Sequence, residues 1–247
     1  MPFRVSRTHH PARGHDPLVV RLTSGFRRFQ QRWYHDEPVF DRLRLGQNPH
    51  ALVIACSDSR VDPVLLTDSS PGDLFVVRNV ANIVPPYVSG TTPRGVCSAL
   101  EYAVKHLKVK DIIVLGHACC GGIHALVAGE TRGGDDEFID QWVALAGKAL
   151  ERARAECPES GEAELARVCE LWSVRLSLTN LMTFPWVKSR AEAGLLALHG
   201  WYFDLQSGEL LEYDQEKEGF SVLVGHPARH ERPAPGHPSA RGHGPGR

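Results

Sequence analysis

Two short stretches of the sequence combine residue types that bind metals and transfer protons. The first holds Cys56, Asp58 and Arg60 in a Cys-x-Asp-x-Arg pattern, and the second holds His117 and Cys120 in a His-x-x-Cys-Gly pattern. Two thiolates and one imidazole are a common donor set for Zn²⁺, and three protein ligands leave a fourth position open for water. His117 and Cys120 can face one ion from a single tight turn. Cys56 can join them only if its strand is a neighbour in the sheet.

Neither motif establishes a metal site by itself. A single cysteine after a strand is more often a small buried apolar residue, and a single histidine at a strand end is more often structural. The two motifs together favour a metal site, although Cys119 is an alternative to Cys120 because the two residues are adjacent. Asp58 and Arg60 could also form an ordinary ion pair at a strand end.

Both motifs directly follow apolar runs that are typical of buried strands. The predicted strands are 51–55, 74–77, 111–116 and 195–204, followed by a turn at 206–209 and an antiparallel strand at 210–213. The predicted helices are 18–34, 93–107, 122–129, 137–156, 162–183 and 185–194. This alternation predicts an α/β fold with a mainly parallel central sheet, about four parallel strands plus an antiparallel edge strand, flanked by helices. Ligands bind beyond the carboxyl ends of such strands, which is where both motifs lie.

The 247-residue chain is predicted to form one domain, residues 17–225, between two disordered tails at 1–16 and 226–247. The tails lack apolar periodicity, and the last 22 residues contain 5 Pro and 4 Gly, a composition that does not order itself. Residues 1–28 and 226–247 together carry ten Lys or Arg against two Asp or Glu. The remainder, 29–225, carries 18 basic and 27 acidic residues, which argues against a nucleic-acid-binding domain.

The cysteine content and the length of the apolar runs indicate the cellular compartment in which the protein is expected. Six cysteines in 247 residues are too few for a disulfide scaffold, and the first 20 residues lack the apolar segment of a secretory signal. No stretch approaches the ~18 consecutive apolar residues of a membrane-spanning helix. We therefore expect a cytoplasmic protein without membrane insertion, in which cysteines are more often metal ligands or catalytic groups than bridges.

On these motifs, the chain resembles the β-class carbonic anhydrases, whose signatures are the Cys-x-Asp-x-Arg and His-x-x-Cys pair. Segments 71–82, 101–104 and 199–201 also look like family segments in family order, so the resemblance covers roughly residues 20–215. It implies the β-carbonic anhydrase fold and one Zn²⁺ per subunit. It also implies a hydro-lyase activity, the reversible hydration of CO₂ to bicarbonate and a proton through zinc-bound hydroxide.

The resemblance also implies roles for individual residues. Zinc is held by Cys56, His117 and Cys120, since the family pattern selects Cys120 over its neighbour. Asp58, fixed by a charge-assisted fork from Arg60, accepts a hydrogen bond from the hydroxide and orients its lone pair. If the Asp58–Arg60 pair breaks, Asp58 can become the fourth zinc ligand of an inactive state.

Four further residues match the substrate pocket of the plant-like branch of the family. They are Gln47, Phe75, Val80 and Tyr102. A dry apolar wall suits uncharged CO₂, and the amide of Gln47 can hold an oxygen of bicarbonate. Without the resemblance, Phe75, Val80 and Tyr102 could equally be plain core residues.

The branch of the family that bicarbonate regulates has Trp, Gly and Tyr at three positions that differ here. This chain has Val53, Ala55 and Phe203 instead. The difference argues against a bicarbonate inhibitory site. We therefore expect an open zinc position near neutral pH rather than ligation by Asp58.

The N-terminal helix carries an apolar stripe at helical spacing, formed by Leu22, Phe26, Phe29 and Trp33. Core packing would explain it. The resemblance adds that such helices lie across a partner subunit and that pocket residues come from both chains. It thus implies a homo-oligomer with a dimer as the minimal unit.

Two other functions are compatible with the sequence. The same scaffold could hydrolyse CS₂ or COS, which are linear apolar analogues of CO₂. A non-catalytic, zinc-stabilised binding or scaffold protein is the second alternative. A degenerate dyad would favour it, whereas Asp58 and Arg60 are both present.

Overall fold

The structure is a computed structural model, and it describes residues 17–37, 39–90, 94–129 and 138–226. The tails expected at 1–16 and 226–247 lie outside the described residues, apart from His226.

A six-stranded mixed sheet forms the centre of the molecule. Its strands are β1 (Ala51–Cys56), β2 (Leu74–Asn79), β3 (Asp111–His117), β4 (Ala197–Phe203), β5 (Leu210–Asp214) and β6 (Gly219–Val224). The order is β2-β1-β3-β4-β5-β6, with the first four strands parallel and the last two antiparallel. The predicted α/β fold is confirmed. β6 lies outside the predicted strands, and it extends the antiparallel edge by pairing with β5.

Helices flank the sheet in the positions that the helical patterns predict. They are α1 (Pro17–Gln30), α2 (Phe40–Leu43), α3 (Pro63–Thr67), α4 (Gly95–Glu101), α5 (Gly121–Ala128), α6 (Ile139–Val143), α7 (Gly147–Glu156), α8 (Glu162–Leu181) and α9 (Pro185–Glu192). Turns of π-helix at Gln31–Asp36 and Tyr102–Leu107 extend α1 and α4, and 3₁₀ turns are present at Val80–Asn82 and Ala144–Ala146. The short helices α2 and α3 lie outside the predicted set.

β1 and β3 are the two central strands that end at the motifs. Every residue of β1 is buried, because neighbours cover both of its faces, and this explains its uninterrupted apolar sequence. Ala55 of β1 lies opposite Leu115 of β3 in the parallel register. Cys56 and His117 therefore end adjacent strands at the same edge of the sheet.

α8 packs closely on β3 and β4 because both strands present a glycine to it. A Cβ at Gly116 would lie 2.5 Å from Cγ2 of Val174, and one at Gly200 would lie 2.8 Å from Cδ1 of Leu178. Both distances are too short for a real contact, so α8 can lie this close only where the strands lack side chains. This packing brings the buried Glu170 of α8 to the turn that follows β3.

α1 contributes nothing to the core of its own chain. None of its residues is buried, and Val19, Leu22 and Phe26 are about half or more exposed. The helix itself is confirmed, but packing into the core of a single chain does not account for its apolar stripe. No helix among the described residues combines the length and apolar character needed to cross a bilayer.

Candidate metal centre

The side chains of Cys56, His117 and Cys120 converge at the carboxyl ends of β1 and β3. Their ligand atoms lie within 4.8 Å of one another, and all three residues are buried. The two Sγ atoms are 4.0 Å apart. Two sulfurs bound at about 2.3 Å to one tetrahedral Zn²⁺ lie about 3.8 Å apart, so the spacing fits a shared ion.

The imidazole of His117 is oriented for ligation through Nε2. Nδ1 lies 2.9 Å from the carbonyl oxygen of Ala118, and because a carbonyl only accepts, Nδ1 carries the proton. Nε2 then presents a lone pair, and this buried atom has no hydrogen-bond partner within the described parts of the chain. A buried polar atom without a partner is costly. A cation between Nε2 and the two sulfurs would satisfy it.

A tight turn directs the side chains of the two adjacent cysteines into different environments. Cys119 adopts φ of 57°, in the left-handed region, and its side chain is exposed. Cys120 is buried and belongs to the cluster with Cys56. The strained backbone at Cys119 thus reverses the chain so that His117 and Cys120 face the same point.

The thiol pair is arranged to lose protons to a metal. The hydrogen bond between the two thiols lowers the pKa of Cys56 and raises the pKa of Cys120. The backbone N–H of Ala81 donates to Sγ of Cys56 at 3.3 Å and further favours a thiolate there. Thiols bind a divalent cation as thiolates, so metal binding at this pair would release protons.

Asp58 and Arg60 form a two-point ion pair beside the cluster. Nε and Nη2 of Arg60 donate to Oδ1 and Oδ2 of Asp58 at 3.0 and 2.7 Å, and the backbone N–H of Arg60 also donates to Oδ1. These hydrogen bonds hold the pKa of Asp58 well below its usual range. Nη2 of Arg60 also donates to the carbonyl of Cys119 at 3.0 Å, which connects the pair to the turn after β3.

Arg78 holds the loop that carries the ion pair, a role that sequence reasoning missed. Its guanidinium donates to the carbonyl oxygens of Cys56 at 3.0 Å, Asp58 at 2.7 Å and Val61 at 2.9 Å. It also contacts the carboxylate of Asp62 at 3.3 Å. The available signal was an arginine that directly follows the apolar run 74–77 of β2.

Glu170 of α8 is the second residue that sequence reasoning missed. Its Oε1 accepts from the backbone N–H of Cys120 at 2.8 Å, and its Oε2 accepts from the hydroxyl of Tyr202 at 2.7 Å. Burial raises the pKa of Glu170, and the two hydrogen bonds oppose that shift. A glutamate on the helix face that also carries the buried residues Ala166 and Ser173 was the available signal.

The structure separates the four expected substrate-pocket residues into two groups. Val80 packs against the apolar cluster that contains the two ligand cysteines. Phe75 lies opposite Leu52 in β1, four residues and about 13 Å along the strand from the register position of Cys56. Tyr102 is next to Phe75, with ring centroids 6.0 Å apart. Gln47 is exposed and precedes the amino end of β1.

The chain is similar to known proteins in both sequence and structure. The carbonic anhydrase family model matches residues 51–210. Beta carbonic anhydrase 3 of Arabidopsis thaliana is 38% identical over 201 residues, which are 79% of this chain and 78% of that protein.

Two solved structures show that the likeness extends to the fold. The β-carbonic anhydrase CcaA superposes with a TM-score of 0.78 at 34% identity, covering 83% of this chain and 99% of that one. A structure from a study of two tetrameric β-carbonic anhydrases of Sordaria macrospora gives a TM-score of 0.65 at 32% identity, covering 79% and 95%. The family match spans more than half of the chain and includes Cys56, His117 and Cys120. The chain therefore belongs to the β-carbonic anhydrase family.

Proposed function

We propose that this protein is a zinc enzyme that catalyses the reversible hydration of CO₂, with Cys56, His117 and Cys120 as the metal ligands. The observation that carries the proposal is the unpartnered, buried Nε2 of His117 facing two sulfur atoms that are 4.0 Å apart. Membership of the family supports the same reaction. Zn²⁺ bound at this site supplies a water activated as a nucleophile near neutral pH.

Asp58 has the properties needed to orient that nucleophile. Its carboxylate is ionised over the whole physiological range, because Arg60 donates to both of its oxygens. An ionised carboxylate only accepts hydrogen bonds, so it holds the nucleophile's proton away from CO₂ and leaves a lone pair free to attack carbon. Since Arg60 also donates to the carbonyl of Cys119, the ion pair keeps a constant position relative to the ligand turn.

We also propose that Asp58 stays with Arg60 at neutral pH and does not become a zinc ligand. The three positions that differ from the bicarbonate-regulated branch support this. Val53 and Ala55 are buried in β1, and Phe203 packs against the same cluster from β4. The apolar side chain of Phe203 lacks the hydroxyl that a tyrosine would offer to an anion at this position.

A complete substrate pocket is proposed to need two chains, with Val80 from one subunit and Gln47, Phe75 and Tyr102 from its partner. Within one chain these residues lie in two groups, and Tyr102 is 45% exposed. The exposed apolar face of α1 provides surface for a partner subunit. The structurally similar proteins of Sordaria macrospora are tetrameric.

Mixed oligomers test the two-chain pocket. We expect Cys56→Ser and the double variant Gln47→Ala/Tyr102→Ala each to have little activity alone. Co-expressed in equal amounts, they should recover about a quarter of the wild-type activity, since half of the dimers are mixed and each mixed dimer has one complete site. Stopped-flow CO₂ hydration on the purified mixture measures the recovery.

The matched control pairs Cys56→Ser with His117→Ala. Both changes remove a ligand of the same trio, so no mixed dimer has an intact site and no activity should return. If the pocket variants also fail to recover activity while two different affinity tags demonstrate mixing, the pocket is built within one chain.

The reaction itself is tested on the zinc-loaded wild-type protein. We expect about one zinc per chain and CO₂ hydration that is faster than hydrolysis of CS₂ or COS under the same conditions. Faster CS₂ or COS hydrolysis would favour the alternative hydrolase. Full zinc loading without any of these activities would favour a zinc-stabilised scaffold protein.

The thiolate ligands support a cytoplasmic location as part of the proposal. All six cysteines are free. A centre that depends on two reduced thiols is best maintained in a reducing compartment.

A further inference from the structure

We propose that Glu170 is a positioning residue that holds the Cys120 thiolate in place for the metal, acting through the backbone of Cys120. The inference rests on the proposed zinc site and goes beyond the three ligands and the Asp58–Arg60 pair. The carboxylate of Glu170 connects α8 to the turn after β3 that carries His117 and Cys120.

The hydrogen bonds of Glu170 restrain both oxygens of one carboxylate. Oε1 accepts from the N–H of Cys120 at 2.8 Å, and Oε2 accepts from the hydroxyl of Tyr202 at 2.7 Å. Tyr202 is fully buried in β4, and Glu170 is 3% exposed. With both oxygens restrained, the carboxylate cannot rotate away from Cys120 without leaving a buried donor unpaired.

The helix that carries Glu170 is itself held firmly against the sheet. Val174, one turn further along α8, packs into the space left by Gly116, next to His117. Ser177 accepts from the N–H of Val84 at 3.1 Å, and the side chain of Asn180 donates to the carbonyl of Val84 at 2.8 Å. α8 is therefore fastened to the strands and loops around the metal site along its buried face.

The N–H of Cys120 needs such an external acceptor. Cys120 lies at the amino end of α5, where backbone N–H groups have no partner within the helix. The preceding residue Cys119 has a left-handed backbone, so the turn is strained as well. The contact with Glu170 fixes the end of this strained turn, and with it the distance of the Cys120 sulfur from Cys56 and His117.

Zinc dissociation measures this role without using the catalysed reaction. The zinc-loaded full-length protein is mixed with a chromogenic chelator, and the release rate is recorded for wild type and variants. We expect Glu170→Ala to release zinc about tenfold faster or more, in line with the effect of removing groups that orient metal ligands. Glu170→Gln keeps an oxygen acceptor for the N–H of Cys120 and should stay within about threefold of wild type.

A second readout and a second variant keep the test decisive. Cobalt-loaded Glu170→Ala should show a shifted thiolate-to-cobalt absorption band, and cobalt-loaded Glu170→Gln should keep the wild-type band. If Glu170→Ala does not fold, Glu170→Asp replaces it, because its shorter side chain withdraws the carboxylate from Cys120 and should also speed zinc release. Glu164→Gln, which removes an exposed charge from the same helix, is the matched control and should have no effect.

Two outcomes overturn the inference. Zinc release within threefold of wild type in Glu170→Ala, or in Glu170→Asp if that variant replaces it, would show that the contact does not position the ligand. Equally fast release in Glu170→Gln and Glu170→Ala would show that charge, not the hydrogen bond, is what matters. If the wild-type protein bound no zinc, the proposed metal site would fail instead, so the two failures are distinguishable.

Discussion

Cys120→Ser is expected to abolish both zinc binding and CO₂ hydration, whereas Cys119→Ser is expected to preserve both. A serine hydroxyl stays protonated near neutral pH and is a poor zinc ligand, so the site would retain only Cys56 and His117. Zinc content should fall below about a tenth of the wild-type value, and kcat/KM should fall at least about 10³-fold with the loss of the metal. Elemental analysis and stopped-flow hydration measure the two quantities.

The neighbouring cysteine is a stringent control because the two variants differ by one position in the sequence. Cys119 is exposed, and its contact with Arg60 is made by its backbone carbonyl, which a serine keeps. Zinc loss in Cys119→Ser together with retention in Cys120→Ser would reverse the ligand assignment. Retention of zinc in both variants would contradict zinc ligation by Cys56, His117 and Cys120 together.

Asp58→Asn is expected to keep zinc and lose most of the activity. The amide is similar in size to the carboxylate, but it carries no charge and presents a donor where the proposed mechanism needs an acceptor. Removal of one preorganised hydrogen-bonding group from an active site lowers the rate by about 10² to 10³-fold, and we expect kcat/KM to fall within this range. Stopped-flow hydration with the zinc content measured in parallel separates lost chemistry from lost metal.

Asp204→Asn is the control for removing a carboxylate that is paired with an arginine. The Asp204 carboxylate contacts Nη1 of Arg167 at 3.1 Å and accepts from the N–H groups of Gln206 and Ser207. Its replacement should leave kcat/KM within about twofold of wild type, because none of these hydrogen bonds involves the ligand trio or Arg60. A drop of less than threefold in Asp58→Asn would contradict the orienting role. Loss of zinc in Asp58→Asn would also contradict it, because the carboxylate would then be needed for the metal itself.

Much of the fold was predictable because its signals are local. The strands β1 and β3 contain uninterrupted apolar runs, 51–56 and 112–115, and short runs of this kind are typical of buried central strands. β6 and the short helices α2 and α3 were not predictable in this way. α3 spans only five residues, too few for an apolar period to be visible, and β6 depends on its pairing with β5.

The candidate ligands were also recognisable from the sequence, because only a few residue types bind Zn²⁺. Cys56, His117 and Cys120 follow two predicted strands, and parallel strands place such residues at one edge. The spacing alone did not decide whether Cys119 or Cys120 is the metal ligand. The left-handed backbone at Cys119 separates them, and it reflects the whole turn rather than either residue.

By itself, the sequence determined the donor types, the ion pair and the order of strands and helices, since each of these depends on residues close together in the chain. Only the tertiary structure decided which groups hydrogen-bond to the ligand residues and which of the expected pocket residues lie far from them. Glu170 is 50 residues from Cys120 and meets it because two glycines let α8 approach the sheet. Phe75 lies towards the opposite end of the strands from Cys56, because the parallel register pairs it with Leu52, and the ring of Tyr102 lies next to it. Contacts between distant segments follow from packing and register, and no local pattern encodes them.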